Sequence, residues 1–273
     1  MNHRADKLVI LAAGLGTRMR RREEAATLDD AQSQAADTGL KAMIPIDRPF
    51  LDYVLHEAAE AGLRQVCLVI GPEHDALRRY YGEQLKAKRL SFTFAVQHER
   101  RGTAHALACA ESFAGDDPFV MINSDNLYPR EALAALVEAN GPAAAVFSRR
   151  AMIERSNISA DRIAAYAIVQ TSSDGALQRV IEKPDEVTCG VLGDDAGVSM
   201  NCWRFGPTIF RACRSIGPSA RGELEITDAV QYCIDDLGER FDVVRCDQPV
   251  LDLSRRSDIP AVAARLAGQR CEL

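Results

Sequence analysis

The chain has 273 residues, 47% of them hydrophobic and 26% charged, with a formal net charge of −6. That length suits one large α/β domain whose core needs no disulfides. The mild acidity argues against a general nucleic-acid binder, and no run approaches the roughly 20 apolar residues of a membrane span.

In chain order, Lys7–Leu11 reads as a buried strand that runs into the turn Gly14-Leu15-Gly16-Thr17-Arg18. Residues 19–40 form an unusual polar insertion, with almost no large apolar side chain after Met19. Thr27-Leu28-Asp29-Asp30 is a helix start with a variant capping box. The insertion is expected at the surface, as a mobile lid or a passive loop. Leu51–Gly62 carries apolar residues at helical spacing and ends on glycine. Gln65–Gly71 is a continuous apolar strand, Asp75–Tyr81 a short helix, Ser91–Gln97 a strand and Thr103–Phe113 a helix. Phe119–Ile122 is a strand leading into the loop Asn123-Ser124-Asp125-Asn126. Farther on, Ala143–Phe147, Ala164–Gln170, Leu177–Glu182 and Val198–Phe205 read as strands. Ile209–Arg214, Glu225–Leu237 and Ile259–Leu266 read as helices.

Strands alternating with helices imply βαβ units and a mainly parallel sheet covered on both faces. Without a flexible linker or internal repeat, residues 1–273 are expected to form one α/β domain. The eight cysteines form no C-x-x-C pair and no zinc-spaced group with histidine. They read as buried reduced thiols, and with no export signal the cytoplasm is the expected compartment.

Glycines at the carboxyl end of a parallel strand let main-chain N–H groups approach an anion. Three readings of the opening turn stay open on those residues alone. A dinucleotide site would want a third glycine where Met19 stands. A Walker loop would want a Gly-Lys-Ser/Thr ending, which is absent. The third is a tight turn with no ligand.

Five further segments narrow the choice. Leu11-Ala12-Ala13-Gly14-Leu15-Gly16-Thr17-Arg18, with Lys41 ahead of Ile44-Pro45, resembles the sugar-1-phosphate nucleotidyltransferases. Gln97-His98-Glu99-Arg100-Arg101-Gly102-Thr103-Ala104 is similar to that family's base-recognition segment. Asn123-Ser124-Asp125-Asn126 and Val250-Leu251-Asp252 look like its two metal-aspartate segments. Glu182-Lys183-Pro184 is similar to its E-K-P motif, and Arg221-Gly222-Glu223-Leu224-Glu225-Ile226-Thr227-Asp228 to a segment of the thymidylyltransferase branch. The resemblance covers nearly the whole chain.

The resemblance implies a Rossmann-like three-layer α/β/α sandwich. It also implies attack of a sugar-1-phosphate on the α-phosphorus of a nucleoside triphosphate, giving an NDP-sugar and pyrophosphate. Arg18, Lys41 and Asp125 would be catalytic, with Arg18 gripping the triphosphate as a guanidinium fork does. Leu11, Ala12, Gly14, Gly16, Gln97, Gly102 and Thr103 would bind the nucleotide. Glu182, Lys183, Asn201, Arg221 and Ala167 would bind the sugar phosphate. Asp125 and Asp252 would hold Mg²⁺, a cation that favours carboxylate and phosphate oxygens. UTP or dTTP is the favoured nucleotide and glucose-1-phosphate the default sugar. No nucleic-acid or membrane partner is expected, and the resemblance allows a homo-oligomer.

The chain departs from the family pattern in five places. The span from Arg18 to Lys41 is much longer. His105 stands where an acidic residue is common. Ala167 replaces a sugar-contacting glycine. Ser199-Met200-Asn201-Cys202-Trp203 replaces N-x-G-x-Y. Leu253-Ser254-Arg255 follows Asp252 in place of Gly-Thr. The rival readings are a transferase for another phosphorylated alcohol, such as phosphocholine with CTP, and a non-catalytic nucleotide-sugar-binding regulator. A dinucleotide-dependent oxidoreductase is a third, weaker rival.

Overall fold

Valine, isoleucine and leucine runs with no room for a polar face build the central strands of the sheet. The computed structural model describes residues 4–21, 28–185, 188 and 196–273. Cys189 and part of the 19–40 insertion therefore lie outside the described residues. The strands are β1 (Lys7–Leu11), β2 (Gln65–Ile70), β3 (Ser91–Val96), β4 (Phe119–Asn123), β5 (Asn126–Leu127), β6 (Ala143–Phe147), β7 (Ile168–Thr171), β8 (Leu177–Ile181), β9 (Val198–Phe205), β10 (Asp242–Cys246) and β11 (Leu251–Asp252).

The main sheet runs β10-β6-β9-β4-β1-β2-β3, with β7 and β8 as a hairpin attached to β9. β1 is parallel to both β2 and β4, and β9 runs antiparallel between β4 and β6. The order 4-1-2-3 reverses direction at β1, so a crevice opens between the carboxyl ends of β1 and β4. β5 and β11 form a separate two-stranded antiparallel ribbon.

Alternate residues of each strand feed opposite cores. Leu8, Ile10, Leu68 and Ile122 pack with helices Phe50–Glu60, Arg130–Glu138 and Asp258–Leu266. Val9, Cys67, Val69 and Met121 pack on the other face with helices Thr103–Ala108, Thr208–Ser215 and Ile226–Asp235. The result is the expected three-layer α/β/α arrangement. Among the described residues seven cysteines are free thiols, and burial pushes Cys67 up to about 12.

Two expected elements differ. The single helix over Thr103–Phe113 is instead Thr103–Ala108 and Glu111–Ala114. The Cys109 N–H is shared between the His105 and Ala106 carbonyls, which tightens and ends the first helix, and Ala110 restarts from φ −92°, ψ 4°. The strand expected over Ala164–Gln170 begins only at Ile168, because helix Ala160–Ala164 precedes it. Helices Arg130–Glu138 and Arg149–Arg155 and strand β10 add to the elements expected.

In the insertion, helix Asp30–Thr38 starts with a capping box two residues beyond the one expected at Thr27–Asp30, and Thr27 lies outside the described residues. The Asp29 carboxylate accepts the Gln32 N–H at 2.7 Å, and Gln32 reaches back to the Asp29 N–H. Ala36 from this helix is fully buried, so this part of the insertion is packed against the body.

Far from the crevice, Asp52 has no exposed surface and accepts from Arg48 Nε at 2.7 Å, Tyr80 at 3.0 Å and Tyr81 at 2.8 Å. Arg48 also donates to the Cys271 carbonyl, which ties down the C-terminal residues. Removing the carboxylate strands a guanidinium and two hydroxyls. Asp52→Ala is expected to cost about 3–5 kcal/mol, read as a lower urea midpoint.

Candidate active site

The β1 strand ends at Leu11, and the Ala12 N–H still bonds Val69 O at 2.8 Å. Beyond it, the N–H groups of Ala13, Gly14, Leu15 and Gly16 find no acceptor among the described residues. Main-chain donors held without acceptors are a ready cradle for an anion. Gly16 sits at φ 60°, in the left-handed region, and a Cβ there would overlap the Gly39 carbonyl. The far end of the insertion thus lies directly against the turn. Arg100, which also lines the first cavity, holds the turn by donating to Ala13 O at 2.8 Å while pairing with Glu73.

Two cavities meet at the crevice. The first, of about 500 Å³, is lined by Leu11, Ala12, Gly14, Gly16, Lys41, Gln97, Gly102, Thr103 and Asp125. The second, of about 380 Å³, is lined by Arg18, Asp125, Ala167, Glu182, Lys183, Asn201, Arg221 and Asp252. The sequence-derived site residues all line one or both of these two cavities. Arg18 stands on the second cavity, exposed and without a partner among the described residues. Thr103, Asn123, Asp125 and Glu223 line both cavities and mark their junction.

The junction is built by long-range pairing. Ser124 N–H bonds Leu11 O at 3.1 Å, continuing the β1–β4 contact past the strand end. The β5–β11 ribbon pairs Asn126 with Asp252, and the Leu253 N–H bonds Asp125 O at 2.8 Å. This places the two aspartates side by side. Lys41 Nζ meets Asp125 Oδ2 at 2.6 Å. Asp252 is 3% exposed and accepts from Asn126 at 3.0 Å, Ser254 Oγ at 2.9 Å and the Arg162 guanidinium. Burial first, and then the neighbouring Asp125 charge, push the Asp252 carboxyl up to about 6.

In the first cavity, Gln97 is 4% exposed. Its Nε2 donates to Gly102 O at 3.1 Å and lies 3.1 Å from His105 Nδ1. A carbonyl only accepts, so the amide nitrogen must face Gly102 and the Gln97 oxygen remains for a ligand. Gly102, at φ 111°, is required by the chain itself, since a Cβ there would overlap the Leu224 main chain.

In the second cavity, Arg221 pairs with Glu225 at 2.8 Å, and burial raises the Glu225 carboxyl above its usual range. Asn201 and Lys183 both adopt positive φ, 54° and 47°. Asn201 stands where the resembling pattern has glycine, and the backbone there is left-handed, a conformation that asparagine tolerates better than most side chains. Its Oδ1 accepts the Trp203 indole N–H at 3.3 Å.

Several residues of the site escaped the sequence reading. Glu223 and Arg100 lay inside quoted motifs without an assigned role. Tyr166 lines the second cavity, and Arg162 lies behind it, forking between Asp252 and Asp258. No local signal marks Arg162, because its partners are 90 and 96 residues away in sequence.

The fold and the paired cavities define an enzyme of the nucleotidyltransferase class. The Nucleotidyl transferase family profile matches residues 35–252, and the chain belongs to that family. It is 29% identical to the low-salt glycan biosynthesis nucleotidyltransferase Agl11 of Haloferax volcanii, over 90% of this chain and 66% of that protein. It is 28% identical to the UTP–glucose-1-phosphate uridylyltransferase AglF of the same organism, over 94% of this chain and 95% of that one. Among solved structures, a UDP-glucose pyrophosphorylase complexed with UDP-glucose superposes with a TM-score of 0.74 at 20% identity, covering 97% of this chain and all of that one. Among the described residues no helix is long and apolar enough to cross a membrane.

Two outcomes follow from this geometry. Gly16→Ala forces the turn and Gly39 apart and is expected to weaken nucleoside triphosphate binding at least tenfold by calorimetry. Circular dichroism should show the fold retained. The second concerns His74, which is buried at the loop after β2 and accepts the Gly71 N–H at Nδ1, 3.2 Å away. Burial holds its imidazole below the usual range, so it takes up a proton less readily when folded than when unfolded. The unfolded chain takes up this proton below about pH 6.5 while the folded chain resists it. Stability from this group is present above that pH and lost as pH falls. Between pH 7 and 5, His74→Asn should show a flatter dependence of the urea midpoint on pH than the parent.

Proposed function

We propose that the chain transfers a nucleotidyl group from UTP or dTTP to a sugar-1-phosphate, with glucose-1-phosphate the default, releasing pyrophosphate. The observation that carries this reading is the meeting of two cavities at Asp125, one floored by unpaired main-chain N–H groups and the other carrying Arg18, Lys183 and Arg221. A triphosphate suits the first, and a sugar phosphate the second. The uridylyltransferase relative and the UDP-glucose-bound neighbour support the same assignment.

In this reading the work is mainly positioning and charge neutralisation, since both reactants are anions. The turn amides hold phosphate oxygens, and Lys41 brings a cation to the junction. Arg18 comes from the second cavity towards the triphosphate, and Lys183 and Arg221 hold the sugar phosphate. Glu182 accepts hydrogen bonds from sugar hydroxyls, Ala167 and Asn201 bound the sugar, and Gln97 takes an N–H from the base edge.

Asp125 and Asp252 fit Mg²⁺. They are two carboxylates close enough that one raises the other's affinity for protons. Among the described residues no third ligand joins them, which suits an ion that keeps waters and takes phosphate oxygens. When bound, the ion would neutralise phosphate charge where the two reactants meet.

The test is pyrophosphate release with each common nucleoside triphosphate, a panel of sugar-1-phosphates and Mg²⁺. Release is expected to need both substrates and to fall about 10²–10³-fold in Asp125→Asn. Release with CTP and phosphocholine but with no sugar-1-phosphate would assign a different acceptor. No release from any pair would overturn the reading.

A further inference from the structure

The insertion between Arg18 and Lys41 is pinned by an arginine that nothing so far has given a role. Arg256 is 4% exposed, and the two aspartates of its own loop, Asp252 and Asp258, pair with Arg162. Its Nε donates to Met19 O at 3.0 Å, and its Nη2 pairs with the Asp37 carboxylate. One edge of a single guanidinium therefore joins both limbs of the insertion. Met19, whose side chain is fully buried, directly follows Arg18.

Arg256 stands on a fixed post. The Asp258 carboxylate accepts the Ser254 N–H at 2.9 Å and the Arg255 N–H at 2.8 Å, and pairs with Arg162 at 2.7 Å. The loop from Asp252 to Asp258 is thus knotted on itself. The insertion is also closed internally, because Arg20 donates twice to Thr38 O, at 3.1 and 2.7 Å, and Gly39 lies against Gly16.

We propose that Arg256 is a positioning residue for nucleotidyl transfer, locking the main chain beside Arg18 and the helix that leads to Lys41 onto the loop that carries Asp252. This rests on the reading under Proposed function. The physical reason is register. Arg18 and Lys41 belong to one end of the chain and Asp252 to the other, and a displacement of about 1 Å between such groups can cost about 10²-fold in rate. Lysine would keep the charge at Asp37 but could not span both acceptors.

The test compares the parent with Arg256→Lys, Arg256→Ala and Asp37→Asn, each assayed well below its melting temperature. Asp37 is half exposed, so its variant should fold even where Arg256→Ala does not. Arg256→Lys is expected to lower kcat about 10- to 100-fold while KM for each substrate changes less than about threefold. Asp37→Asn should lower kcat less, and the double variant should fall no further than the worse single. Amide exchange at residues 19–21 and 36–39 should quicken in the same variants, with β1 and β4 unchanged. A lower melting temperature with unchanged kcat overturns the proposal, as does unchanged exchange in the insertion. If the parent itself releases no pyrophosphate, the parent reading falls and this one with it.

Discussion

Everything at the crevice depends on the hydrogen bonding of β1, which is parallel to β2 on one side and to β4 on the other. That pairing brings the carboxyl ends of three strands to one edge, and the reversal in strand order opens the sheet there. It also consumes the main-chain donors of β1 as far as Ala12 and no farther. A strand one residue longer would take one more of these amides into the sheet. Because the chain turns away instead, four N–H groups remain without acceptors among the described residues.

The ion pairs around this edge are better explained by geometry than by stability. Two charges about 4 Å apart attract by about 4 kcal/mol at an effective dielectric of 20. Removing each from water costs several kcal/mol, so a buried pair roughly breaks even. Arg162 is 14% exposed on its side chain, and the carboxylates it joins, Asp252 and Asp258, are 5% exposed. Such a cluster gains little for the fold. What it does is hold a buried carboxylate next to Asp125 in one orientation, against the repulsion that the pair creates. Lys41 does the same for Asp125 from the opposite side.

The sequence made the central strands legible because strands buried on both faces are continuous apolar runs. β1, β2 and β4 fall within a residue of their expected bounds. The insertion's helix start was readable to within two residues, since caps act locally, but the box itself is Asp29 with Gln32 and not Thr27 with Asp30. What was not legible is what depends on distance. β5 and β11 are two residues each and carry no period, yet their pairing is what sets Asp252 beside Asp125. Arg162, Arg256 and Arg100 look like ordinary surface cations until the fold supplies their acceptors. The family profile itself begins at residue 35, past the glycine turn, so the turn's membership in the site is carried by the structure. The surface character expected of the insertion holds for its described charged residues and fails for Met19, Ala36 and Leu40, which are buried.

The second cavity differs from the family pattern on two adjoining walls, and the two changes have unequal weight. Ala167 on the approach to β7 and Asn201 on β9 are linked through the Ser199 N–H, which bonds Ala167 O at 2.8 Å. The Ala167 methyl only narrows the space, and a methyl-sized change discriminates between ligands by about 10–200-fold. Asn201 is different in kind. With its oxygen engaged by Trp203, it keeps two N–H donors for the cavity that it lines. A site that presents hydrogen-bond donors can reject a ligand lacking the matching acceptor by about 10⁴-fold or more, because the donors are then left unpaired. On the proposed sugar-phosphate reading, Asn201 rather than Ala167 would be the stronger determinant of which ligand the cavity accepts. The left-handed backbone at that position leaves asparagine, aspartate and glycine as the residues able to occupy it without strain. Of those three, asparagine alone carries side-chain N–H donors on the wall of the cavity.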